Sequence, residues 1–255
     1  MRPITLILTV PTIALGMSVL GASLPNMGSL GGPWSGAAVA ATVSYNAALG
    51  TLPQAQGWVA YESGAAVPVP VVSGGVMHQG PTDFSGTQNW GYTGASFNFS
   101  TGVVTVDFRV RITNSTFHPY PRGGYTIVLG DANGRLAGLY LSSTSVFLTN
   151  DPVTGSSPIT PFDTTDGFHD YTWSIGPTGS FLSIDSNPIV SLGLGGLVFS
   201  ANTIEFGDGT VLGSSESDLA YFNVSGVTVA SIPEPVSAGL FAAGLVAVAA
   251  IRRRS

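Results

Sequence analysis

Cleaving a glycosidic bond with retention takes two carboxyl groups about 5 Å apart, one as nucleophile and one as acid. Between Ala41 and Ser231 the sequence has three Glu (Glu62, Glu205 and Glu216), and around Glu205 it reads Thr-Ile-Glu-Phe-Gly-Asp-Gly. Asp208 stands three residues on, off the alternating face of a strand and at a turn. No carboxylate pair emerges, Glu205 reads as a solvent-facing strand residue, and no enzymatic activity is expected.

His78, His118 and His169 lie far apart, none with a second ligand at i, i+2 or i+4, which leaves zinc without a site. Calcium takes hard oxygen ligands from loops. Asp131, Asn133, Asp163 and Asn187 are of that kind, and Asp166, Asp185 and Asp208 are the metal candidates singled out. Each also has ordinary work in a turn, bonding its own backbone, and no loop has EF-hand spacing. Sugar rings stack on large aromatic side chains, for which Trp58, Trp90 and Tyr92 are the candidates; most aromatics in such a chain serve its core.

Charge narrows the partners. The chain has no Lys, and from Ala41 to Ser231 it has four Arg against ten Asp and three Glu, a balance of −9. Such a body repels nucleic-acid phosphate, so nucleic acid is not an expected partner. Cysteine is absent, which removes disulfides and thiolate chemistry together. Thirty-four Gly and 17 Pro, with only 9% charged residues, describe turns and strands around an apolar core.

These residues must be positioned by strands. Val103 to Ile112 alternates, with Asp107, Arg109 and Arg111 on one face and Val104, Val106, Phe108, Val110 and Ile112 on the other. Tyr125–Leu129 and Leu136–Leu141 flank Asp131-Ala132-Asn133-Gly134, a hairpin signature. Further strands are read at Val146–Thr149, Tyr171–Ile175, Phe181–Ile184, Thr203–Phe206 and Leu219–Val229, with a turn at Asp185-Ser186-Asn187-Pro188. No stretch keeps helical periodicity for three turns, so an all-β, antiparallel two-sheet sandwich is expected.

Asp166-Gly167-Phe168-His169-Asp170-Tyr171-Thr172-Trp173, followed by Ser183-Ile184-Asp185-Ser186-Asn187-Pro188, resembles concanavalin A-like, laminin-G-like jelly-roll domains. Ser217 to Phe222 fits that family's closing strand. The resemblance covers about a third of the body and implies a jelly roll. Related jelly-roll glucanases carry their acids as Glu-x-Asp-x-x-Glu on one strand, a pattern the Glu205 segment lacks.

Both ends read as targeting segments. Arg2 precedes an apolar run from Ile4 to Leu24, as a secretory signal requires, with an Ala-x-Ala site at Ala38-Val39-Ala40. At the other end Pro233-Glu234-Pro235 leads into sixteen uncharged residues, 236–251, and then Arg252-Arg253-Arg254. As a helix that run rises about 24 Å, and snorkelling Arg side chains extend its reach across a membrane. The positive-inside rule keeps the Arg cluster cytoplasmic and sends the body outward. This order resembles the PEP-CTERM sorting signal of exopolysaccharide-producing Gram-negative bacteria, which implies processing by exosortase near the Pro-Glu-Pro.

The expected organisation is thus an export region over 1–40, a β-sandwich over 41–230 and a sorting signal over 231–255. The implied partners are the Sec translocon, signal peptidase, exosortase and the membrane before processing. The expected function is that of a surface or matrix protein whose non-catalytic jelly roll binds, or is embedded in, exopolysaccharide. The competing readings are a glycoside hydrolase or lyase and a simple inner-membrane-anchored periplasmic protein.

Overall fold

The structure is a computed structural model that describes residues 39–63, 68–81, 86–117, 124–149, 159–193, 201–209 and 213–229. The export segment, Pro233, Glu234, Pro235, the 236–251 run and Arg252, Arg253 and Arg254 lie outside the described residues. Among the described residues no helix is long and apolar enough to cross a membrane.

Among the described residues, sixteen strands form two antiparallel sheets. In chain order they are β1 (Val39–Asn46), β2 (Val59–Ser63), β3 (Val71–Ser73), β4 (Val76–Gln79), β5 (Thr87–Tyr92), β6 (Ala95–Ser96), β7 (Val104–Phe117) and β8 (Tyr125–Gly130). There follow β9 (Leu136–Leu141), β10 (Ser145–Thr149), β11 (Thr160–Pro161), β12 (His169–Gly176), β13 (Gly179–Ile184), β14 (Asn187–Leu192), β15 (Thr203–Asp208) and β16 (Gly213–Val229). The nine-stranded sheet runs β14-β13-β12-β7-β16-β4-β3, with β1 and β6 also paired to β16. The seven-stranded sheet runs β11-β10-β9-β8-β15-β5-β2.

The alternation in β7 places Val104, Val106, Phe108, Val110 and Ile112 in the core, as read from the sequence. The facing sheet contributes Tyr125, Ile127, Leu129, Ile204 and Phe206. Phe206 of β15 stacks on Phe222 of β16 with ring centroids 4.5 Å apart, and Trp58 meets both edge-on. Full burial of such a side chain stabilises by about 1.5–3 kcal/mol, and without a disulfide the sheets are joined by the core of which this cluster is part.

The β8–β9 hairpin forms where its signature lies. Gly134 has φ of 74°, and Asp131 Oδ1 accepts from the backbone N–H groups of Asn133 and Arg135 at 2.9 and 2.8 Å. The next reversal differs from expectation. Asp185 and Ser186, with φ of 50° and 67°, form a two-residue turn, and Asn187-Pro188 already belong to β14. Proline is tolerated there because β14 is an edge strand. β16 also starts earlier than the expected Leu219, at Gly213. At the front of the sandwich, Val39 and Ala40 pair with Val229 and Thr228, so cleavage after Ala40 would remove two residues of β1.

Candidate functional site

The outer face of the seven-stranded sheet follows from strand parity. In β5 the buried Gln88 and Trp90 point between the sheets, which turns Asn89 and Gly91 outward. The registers then align two rows across neighbouring strands. One is Tyr61–Asn89–Gly207–Thr126–Tyr140–Phe147, and the other is Val59–Gly91–Glu205–Val128–Gly138–Thr149. At one end Tyr140 and Phe147 stack at 4.7 Å and are buried. At the other end Tyr61 and Val59 are 42% and 51% exposed. Asn89, Glu205 and Val128 between them are half-buried.

Two features give this strip a ligand-ready shape. Gly91 lies under the Tyr61 ring, where a Cβ would overlap the ring, so the absence of a side chain lets the aromatic lie down over the sheet. Glu205, directly across from Gly91, accepts a hydrogen bond from Asn89 Nδ2 at 3.3 Å. Burial pushes the Glu205 carboxyl above its ordinary value. The arrangement can offer a ring face, an amide and a carboxylate to a polyhydroxylated ligand, over about 14 Å for three strand spacings. Among the described residues Glu205 is the one carboxylate in either row. Asp208 is buried, and its Oδ2 accepts from Ser215 N. The strip thus holds one half of a retaining pair.

No family model matches the chain, and no curated protein matches it. Among solved structures the chain is similar to a carbohydrate esterase from Shiga toxin-encoding bacteriophage phi24B. That alignment has a TM-score of 0.53 and 14% identity, over 76% of this chain and 100% of the other. It also aligns with a prokaryotic β-1,3-1,4-glucanase (lichenase) from a mouse hindgut metagenome, at TM-score 0.47 and 10% identity, over 72% and 98%. A third alignment is with the carbohydrate recognition domain of Emp46p, at TM-score 0.42 and 13% identity, over 66% and 87%. The likeness is one of fold: an all-β, two-sheet, jelly-roll-like body.

The structure redistributes the residues singled out from the sequence. Trp58 and Trp90 are 3% and 0% exposed and pack against Phe206, so neither ring face reaches a surface ligand. Tyr92 is partly buried against the core, edge-on to Trp58 at 5.6 Å. On the outer face of the seven-stranded sheet the exposed aromatic among the described residues is Tyr61 instead. Its signal was present but weak, since Val-Ala-Tyr-Glu-Ser is too short to show its parity and Gly91 lies thirty positions away.

The calcium candidates do not converge. Asp166 and Asp185 meet at His169, whose Nε2 lies 2.7 Å from Asp166 Oδ1 and whose Nδ1 lies 2.7 Å from Asp185 Oδ2. Both carboxylates are committed to an imidazole, whereas Asp208 belongs to the other sheet. Hard-oxygen coordination needs them around one centre, so these three do not fit calcium. The motif residues Asp166 and His169 therefore act as a clamp between the loop before β12 and the β13–β14 turn.

The nine-stranded sheet turns a different surface outward. Arg111 and His78 both bond the buried Asp218, at 2.5 and 2.6 Å, and Arg109 bonds Asp170 at 2.6 Å. Tyr221 donates to the second oxygen of Asp170, and both guanidinium groups lie over the Phe168 ring. These pairs satisfy one another across strands β4, β16, β7 and β12, an arrangement that closes the polar face.

Proposed function

We propose that this chain is an exported bacterial surface or matrix protein that binds glycan without cleaving it, through the outer face of its seven-stranded sheet. The observation that carries the reading is the strip in which Tyr61 lies over Gly91 beside Asn89 and Glu205. A flat aromatic next to an amide and a carboxylate matches the apolar face and hydroxyl edge of a pyranose. The likeness to a carbohydrate esterase is at the level of fold and adds no residue to this reading.

Delivery is inferred from the termini. The Pro-Glu-Pro, apolar run and Arg cluster support exosortase processing after Sec export, with exopolysaccharide as the surrounding partner. The test of binding is retention on immobilised polysaccharides. The full chain should be retarded on at least one neutral or amino glycan. Tyr61→Ala, which removes an exposed ring and leaves the core intact, should lower affinity about tenfold, in line with a stacking contact of 1–2 kcal/mol. Equal retention of Tyr61→Ala would remove the strip from the account.

One observation favours hydrolysis as the second reading: a partly buried carboxyl with a raised pKa suits a general acid. Polysaccharide cleavage by the wild-type chain, abolished in Glu205→Gln, would establish it.

A further inference from the structure

The strip's charge says which sugars it takes, an inference that rests on the binding reading above. Of the Arg residues described, Arg109 and Arg111 are spent on Asp170 and Asp218 on the opposite sheet, and Arg135 follows the β8–β9 turn. Neither row contains a cation, and the chain has no Lys. Glu205 is half-buried with one described hydrogen-bond partner, the Asn89 amide, at a long 3.3 Å. A carboxylate has room for about four acceptor contacts.

Three ligand classes meet this group differently. A uronic acid would bring a second carboxylate beside the first, with no cation among the described residues of either row to separate them. A neutral or N-acetylated sugar offers hydroxyl or amide donors, which improve on the single Asn89 contact. A free amine, protonated, offers three charge-assisted donors and cancels the cost of holding the carboxylate out of water. We propose that Glu205 makes this strip selective for glycans that carry free amino groups, a deacetylated amino-hexose polymer being the ligand class.

The experiment measures binding of the full chain, purified in mild detergent at mildly acidic pH, to three soluble tetramers. They are a glucosamine oligomer, its N-acetylated form and a uronate oligomer. The glucosamine tetramer should bind about tenfold more tightly than the acetylated one, as expected of one charge-assisted hydrogen-bond set, and the uronate should not compete. Glu205→Gln should bring the first two within about twofold of each other, following the loss of the charge. Asp163→Asn, which removes an exposed carboxylate from the loop before β12, should leave the preference unchanged and so control for the acidity of the body.

Equal affinity for the amino and acetylated tetramers would overturn the proposal while leaving the strip in place if Tyr61→Ala still weakens both. A preference that survives Glu205→Gln would likewise overturn it, assigning selectivity to net charge. Failure of every tetramer to bind would remove the strip itself, and this inference with it.

Discussion

At the scale of single residues, position relative to non-neighbours decides roles that residue type leaves open. Glu205 reads from the sequence as a solvent-facing strand residue. It is half-buried because its cross-strand neighbour is Gly91, over which Tyr61 folds, and nothing within ten residues of Glu205 records that. The consequence is a pH dependence with a definite sign. Burial raises the folded-state pKa above the ordinary 4.5, so the folded chain binds more protons than the unfolded one as pH rises through that range. Stability contributed by Glu205 is therefore full below 4.5 and falls as pH climbs through the folded pKa. Glu205→Gln should melt higher than wild type at neutral pH and at the same temperature in acid. Thermal denaturation across that range checks it, and a lower melting temperature at neutral pH would contradict the burial argument.

At the scale of elements, local patterns were legible wherever a strand alternates or a turn has its own chemistry. β7 and the β8–β9 hairpin lie where alternation and Asp-Ala-Asn-Gly put them. β14 was not legible, since Asn187-Pro188 carries a turn signal that edge position overrides. Nor could the pairing of β1 with β16, across nearly the whole body, be read from composition. The jelly-roll motif around His169 was legible as resemblance, and the structure supplies its mechanics. Burial of the ring works against the imidazolium, but hydrogen bonds and charge from Asp185 and Asp166 outweigh it and raise the His169 pKa. Burial likewise opposes the Asp185 carboxylate, and the His169 bond holds it below its ordinary range.

The His169 contribution is complete below its ordinary 6.5 and lost as pH rises through the folded value, and the Asp185 contribution is lost as pH falls below 3.8. The clamp is thus strongest between those limits. His169→Gln should lose most stability relative to wild type in that window and least above it, as read by denaturant melts at several pH values. Asp131 is fully buried, and its carboxylate accepts three backbone N–H groups, including Phe99 N at 3.1 Å. Asp131→Ala should cost about 2–4 kcal/mol by leaving them without acceptors.

At the scale of the whole molecule, the proposed function divides two tasks between the sandwich and the ends. On the proposed export route the sandwich has to stay folded outside the cell without disulfides, and the cross-sheet aromatic cluster around Phe206 and Phe222 is part of the core that holds it. The ends carry the address in our reading. In a host with exosortase, intact-mass measurement should find the chain shortened near Pro235 and outside the inner-membrane fraction. A full-length terminus at Ser255 in the inner membrane, unchanged by the enzyme, would reduce the tail to an anchor.

The claim on which the functional reading turns is where the glycan lies. Amide hydrogen exchange on the full chain, with and without the tightest-binding oligosaccharide, tests it most directly. The account predicts added protection confined to β2, β5, β15 and β8, with Asn89 and Glu205 among the affected residues and the Arg109–Asp170 face of the opposite sheet unchanged. Protection centred on β12, β7 and β16, with none on the Tyr61 strip, would contradict it and move the binding surface to the other sheet.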